Sequence, residues 1–73
     1  MLRVRIVPCP KLARHSKVSR DGHDVSLPSG GRVRDLLQEV GLFDEEVKRV
    51  NINGRRAHLD TSLKTNDIVK VEA

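Results

Sequence analysis

Seventy-three residues make one domain with a thin core, because a chain of this size buries only about 60% of its unfolded surface. Hydrophobic residues at 37% and charged residues at 33% exclude a disordered chain, and no apolar run nears the roughly 20 residues of a membrane span. The lone Cys9 excludes an internal disulfide, and MLRVRIVPCP lacks the apolar stretch and cleavage site of a signal peptide, so the chain reads as cytoplasmic; a monomer is expected.

Leu2, Val4 and Ile6 alternate with Arg3 and Arg5. That period of two predicts a strand with one apolar face and one basic face. Pro8 and Pro10 bracket Cys9 and are expected to end it. Residues 11–22 read as a polar, basic connection, pinned by Leu12 and Val18 and closed by an Asp21-Gly22 turn. His23 to Leu27 follow as a second strand, with Val25 and Leu27 inward, and Pro28 stops it.

Val33, Leu36, Leu37 and Val40 fall at helical spacing after the Ser29-Gly30-Gly31 loop. Gly41 suits a left-handed C-terminal cap. Leu42 and Phe43 are expected to fold back into the core, ahead of a solvated Asp44-Glu45-Glu46 turn. A third strand is predicted over Val47–Ile52, with Val50 and Ile52 inward. Asn53-Gly54 is a strong hairpin signal because both residues accept positive φ. Arg55–His58 form a short fourth strand, Asp60-Thr61-Ser62 turns the chain, and Leu63 plugs the core. Asn66-Asp67 leads into a last strand with Val69 and Val71 inward. Strands ordered this way around one helix predict an α+β, ubiquitin-like β-grasp sheet. The last strand lies parallel to the first, between two hairpins, and the helix leaves one sheet face open.

Three segments together resemble the ThiS/MoaD sulfur carriers of thiamine and molybdopterin synthesis. They are Leu27-Pro28-Ser29-Gly30-Gly31-Arg32-Val33; Asp35-Leu36-Leu37 with Gly41-Leu42; and Val50 through Asn53-Gly54-Arg55 to Asp60-Thr61, Leu63-Lys64 and Asp67-Ile68-Val69. Archaeal ubiquitin-like modifiers are similar. The likeness covers residues 23–71 well and the N-terminal third in outline. It implies a carrier that is not itself an enzyme and holds no cofactor. Its partners would be an adenylating activating enzyme and a sulfur-accepting synthase, met through a C-terminal Gly-Gly. Glu72 and Ala73 stand at that reactive end, and Val71-Glu72-Ala73 contains no glycine, so Ala73 does not inherit the reactive role. The expectation is either a truncated carrier or a non-covalent interaction module. Arg32 stands where the family carries a helix-capping Thr, a change expected to cost about 1 kcal/mol. The segment from Asn53-Gly54 to Val71 also resembles the TGS domain of some RNA-linked GTPases and synthetases, which needs no Gly-Gly.

Strand alternation places Arg3, Arg5, Arg49, Asn51 and Lys70 on the open face, which reads as a docking surface. The plainer alternative is a solvated face. The net charge of +4 is uneven. Residues 1–34 hold eight Lys/Arg against two Asp, while residues 35–73 hold six Lys/Arg against eight Asp/Glu. The basic half suits an acidic protein surface or, less well, RNA. RNA binders stack bases on aromatic rings, and the only aromatic residue is Phe43, assigned to the core. His15, His23 and His58 have no metal-ligand spacing. Cys9, near Arg5 and Lys11, reads as an inert thiol rather than a nucleophile. Ser29-Gly30-Gly31 before the helix reads as a turn rather than an anion site.

Overall fold

The computed structural model describes residues 1–14 and 21–73. Five strands run in the order β2-β1-β5-β3-β4, with β1 at Leu2–Pro8, β2 at His23–Leu27, β3 at Arg49–Ile52, β4 at Arg55–Ala57 and β5 at Ile68–Glu72. β5 lies parallel to β1 and antiparallel to β3, so the last strand closes the sheet between two hairpins. Helix α2, Val33–Val40, covers one face. The fold is the expected ubiquitin-like β-grasp.

Alternation decides the core. Val4, Ile6, Val25, Leu27, Val50, Val69 and Val71 point inward from the strands and meet Val33, Leu36, Leu37 and Val40 from α2. Leu12, Leu42 and Leu63 seal the margins, all at most 4% exposed. Ile52 is only half-buried.

β1 runs two residues past Ile6, through Pro8. Its register with β2 ends at Ile6–His23, so the donor that Pro8 lacks would face no strand, and the ladder to β5 continues through Cys9 N–H on Val71 O at 3.0 Å. A short helix α1, Pro10–Ala13, replaces part of the expected connection. Proline tolerates the first helical position, where its missing N–H would have had no partner. Leu12 pins this helix to the core as predicted, while Val18 and His15 lie outside the described residues.

Phe43 does not enter the core. Its side chain is 69% exposed, and Leu42 alone closes the end of α2. Gly41 caps α2 at φ 80°, and Leu42 N–H returns to Leu37 O at 2.9 Å. That single turn leaves room for one inward side chain, and Phe43 then starts a 3₁₀ turn, Asp44–Glu46.

The start of α2 does without a hydroxyl cap. Val33 N–H donates to Thr61 O at 3.1 Å and Arg34 N–H to Leu59 O at 2.9 Å, while Asp35 Oδ2 accepts Arg32 N–H at 2.9 Å. Backbone carbonyls from a distant loop therefore satisfy the first orphan donors of the helix. The guanidinium of Arg32 has no acceptor to offer and is not needed as one. The same bonds occupy donors that an anion would need, which agrees with reading Ser29-Gly30-Gly31 as a turn.

Candidate functional site

The uncovered sheet face is built by the second set of alternating residues. From β2 come Asp24 and Ser26, from β1 Arg3, Arg5 and Val7, and from β5 Ile68, Lys70 and Glu72; β3 adds Arg49 and Asn51, and β4 adds Arg56. The registers sort these into rows across the sheet. Val7, Lys70, Asn51 and Arg56 stand side by side in one row. Asp24, Arg5 and Ile68 form the next, and Arg49 faces Glu72 at one end. Neighbours in such rows have Cβ atoms about 5 Å apart, so their side chains act on a partner together.

Two arginines of the face are paired. Arg5 Nε lies 3.4 Å from Asp24 Oδ1, and Arg49 Nη1 lies 3.7 Å from Glu72 Oε2. All four side chains are about half exposed, so solvent screens these pairs and each is worth well under about 1 kcal/mol. Arg3, Arg56 and Lys70 have no ion pair among the described residues, and they set the positive field of the face. Asn51, half-buried between Lys70 and Arg56, sits at the centre of that field as a neutral hydrogen-bonding group.

Sequence reasoning missed Asp24, Ser26, Val7, Ile68 and Arg56 on this face, and assigned Glu72 to the tail rather than to a place opposite Arg49. Arg56 follows from the two-residue Asn-Gly loop, which sets Ile52 opposite Arg55 and hence Asn51 opposite Arg56. Val7 and Ile68 keep the same alternation as Arg5 and Lys70, which sets two apolar side chains on the open face. Ile68 is 44% exposed, so the face has an apolar component beside its charges. Gly22 lies over this end of the face. At φ +105°, a Cβ there would stand 3.0 Å from Arg5 Nη1 and 3.3 Å from Val7 Cγ2.

The far end of β5 lies beside α1 and β3. Lys48 N–H donates to Glu72 O at 2.8 Å, so the strand stays paired through Glu72, and Ala73 is the first residue beyond it. The thiol of Cys9 lies near this point. Desolvation raises it, but hydrogen bonds with the backbone of Leu12, Ala73 and Lys11 outweigh that and hold it below its ordinary value, against the charge of Glu72. Among the described residues no group of three His, Cys, Asp or Glu side chains is placed to hold a metal ion. No helix among them is long and apolar enough to cross a membrane.

No protein-family profile matches the chain, and no curated protein sequence matches it. Solved structures do. A protein described as molybdopterin converting factor, subunit 1, from Pyrococcus furiosus superposes with a TM-score of 0.78 at 29% identity, covering 99% of this chain and 97% of that one. The small archaeal modifier protein 1 of Haloferax volcanii superposes in one structure with a TM-score of 0.76 at 18% identity, covering 99% of this chain and 97% of that one. In another it does so with a TM-score of 0.72 at 19% identity, covering 94% and 91%.

Proposed function

Since this chain is a ThiS/MoaD-like ubiquitin-fold protein, we propose that it works by docking onto partner proteins through the open face of its sheet. The observation that supports this is the row Val7, Lys70, Asn51 and Arg56, flanked by Ile68 and Arg5. Five cations stand on that face against two carboxylates, and three of the cations have no partner among the described residues. Such a surface favours an acidic protein partner, which it would steer and orient by charge, with Val7 and Ile68 giving an apolar anchor.

The partners proposed are an adenylating activating enzyme and a sulfur-accepting synthase. The name of the Pyrococcus protein, carried to this chain as a proposal, favours molybdopterin over thiamine synthesis. Glu72 and Ala73 would lead the chain from the docked face into the partner's active site, because pairing in the sheet ends there. Docking itself rests on the face and asks nothing of these two residues.

The test is a titration of ¹⁵N-labelled protein with the adenylating enzyme encoded in the same genome. Shifts should map to Arg3, Arg5, Asn51, Arg56, Ile68 and Lys70, and the exposed Lys70→Glu and Arg56→Glu pair should weaken binding by about tenfold or more. Shifts confined to α2, or binding indifferent to charge reversal, would overturn the proposal. Intact mass after incubation with that enzyme, ATP and a sulfur source then separates carrier from module. Exchange of a terminal oxygen for sulfur supports the carrier, and unchanged mass supports the non-covalent module. An RNA oligonucleotide titrated in parallel tests the TGS-like alternative. That alternative gains nothing from the exposure of Phe43, whose chain neighbours Asp44, Glu45 and Glu46 would repel phosphate.

A further inference from the structure

Phe43 belongs to a second surface that the docking proposal leaves unused. Its ring is 69% exposed, whereas Leu42 beside it is 3% exposed. The backbone that carries the ring is fixed. Phe43 N–H donates to Glu46 Oε1 at 3.2 Å, and Glu46 N–H donates to Phe43 O at 3.0 Å. The ring borders an open depression with Gln38, Gly41, Leu42, Asp44 and Glu45. Its rim is acidic, and of Asp44, Glu45 and Glu46 only Asp44 has an ion pair among the described residues, with Arg34 at 3.7 Å.

The open sheet face is the reverse of this corner in both respects. Ile68 and Val7 are its apolar groups; Lys70 stands beside Val7, Arg3 lines the same depression as Ile68, and neither cation has an ion pair among the described residues. An exposed ring with carboxylates beside it and an exposed Ile with cations beside it are complementary in polarity and in sign. We propose that these two surfaces are the halves of one contact between copies of this chain. The Phe43 corner of one copy seats on the Val7–Ile68 region of the next, with Glu45 and Glu46 facing the cations of the sheet.

The two patches lie on different parts of the molecule, since Phe43 follows the helix that covers the opposite sheet face. The contact is therefore heterologous. Each added copy keeps one free corner and one free face, so association proceeds head to tail rather than stopping at a two-fold dimer. One ring against two aliphatic side chains is a small apolar area, which sets a dissociation constant near about 10⁻⁴ to 10⁻³ M at low salt. Screening of exposed charges should weaken it markedly at about 0.3 M salt. The inference stands on the two patches and needs no second protein, so its failure would leave the docking proposal to be judged separately.

Dilution of ¹⁵N-labelled protein from millimolar to micromolar concentration at low salt provides the test. Concentration-dependent shifts should appear at Phe43–Glu46 and at Val7, Ile68 and Lys70, and salt should suppress them. Phe43→Ser removes the corner, and Ile68→Ser or Lys70→Glu removes the face; each variant alone should associate at least about tenfold more weakly. Mixing is decisive. Labelled Phe43→Ser protein should shift at its face when unlabelled Lys70→Glu protein is added, and labelled Lys70→Glu protein should shift at Phe43–Glu46 in the converse experiment. Wild-type spectra that ignore concentration at low salt would overturn the inference. So would shifts that map to the β2 or β4 edge, or a Phe43→Ser variant that self-associates like the wild type.

Discussion

Asn53 and Asp67 are joined side chain to side chain, with Asn53 Nδ2 donating to Asp67 Oδ1 at 2.9 Å. The same amide accepts Ile68 N–H through Oδ1 at 2.9 Å, and the same carboxylate accepts Lys64 N–H through Oδ2 at 2.8 Å. Asn53 N–H closes the set by donating to Ile68 O at 2.9 Å. Two turns distant in sequence are thereby fixed to each other, and with them the entry of β5 into the sheet. Both carry a non-glycine residue at positive φ, Asn53 at 52° and Asn66 at 70°. Asparagine accepts that region more readily than other residues with a Cβ.

Asn53→Gly keeps the backbone conformation and deletes the two amide bonds. It should lower stability by about 1–3 kcal/mol, with the part carried by the Asn53–Asp67 bond coupled to Asp67. Urea unfolding of Asn53→Gly, Asp67→Ala and the double variant checks this. Additive effects would show that the two turns are independent.

Gly22→Ala should destabilise the fold by about 1–3 kcal/mol, because an alanine strains at φ +105° and its methyl meets Arg5 and Val7. If the Arg5 contact mattered most, Arg5→Ala would restore much of the loss, with only the 3.3 Å contact to Val7 remaining. Backbone strain predicts little recovery in a thermal melt of the pair.

Leu42 and Phe43 should respond in opposite ways. Leu42→Ala opens a cavity under α2 and should cost about 2–4 kcal/mol, whereas Phe43→Ser should stay within about 0.5 kcal/mol of the wild type. Chemical denaturation of the two variants decides it, and equal losses would contradict the exposure of the ring.

Cys9 should titrate below an ordinary thiol, since backbone hydrogen bonds outweigh its desolvation. Alkylation rate against pH should therefore have its midpoint below that of the same thiol in the unfolded chain. Between that midpoint and the ordinary value the unfolded chain holds more protons than the folded one. Stability from this group is thus lost as pH falls through the folded midpoint and gained as pH rises through the window. Cys9→Ser should flatten that part of the profile.

Local pattern determined most of the architecture. Val4 and Ile6 against Arg3 and Arg5, Val69 and Val71 against Lys70, and the helical spacing of Val33, Leu36, Leu37 and Val40 each carry a period that allows one packing. Asn53-Gly54 fixed the register of its hairpin, because a two-residue loop permits only one pairing. Through that register it also fixed the position of Arg56. These are short-range effects, readable from neighbours in the chain. What the tertiary structure decided were matters of competition between distant groups. Phe43 lost its place in the core because Leu42 had already filled the end of α2. Arg32 needed no hydroxyl because Leu59 and Thr61 bring carbonyls to the helix from elsewhere. Arg5 and Arg49 gained carboxylate partners because the sheet set Asp24 and Glu72 opposite them. A sequence states which residues seek burial or a partner, and only the packed chain states which of them find one.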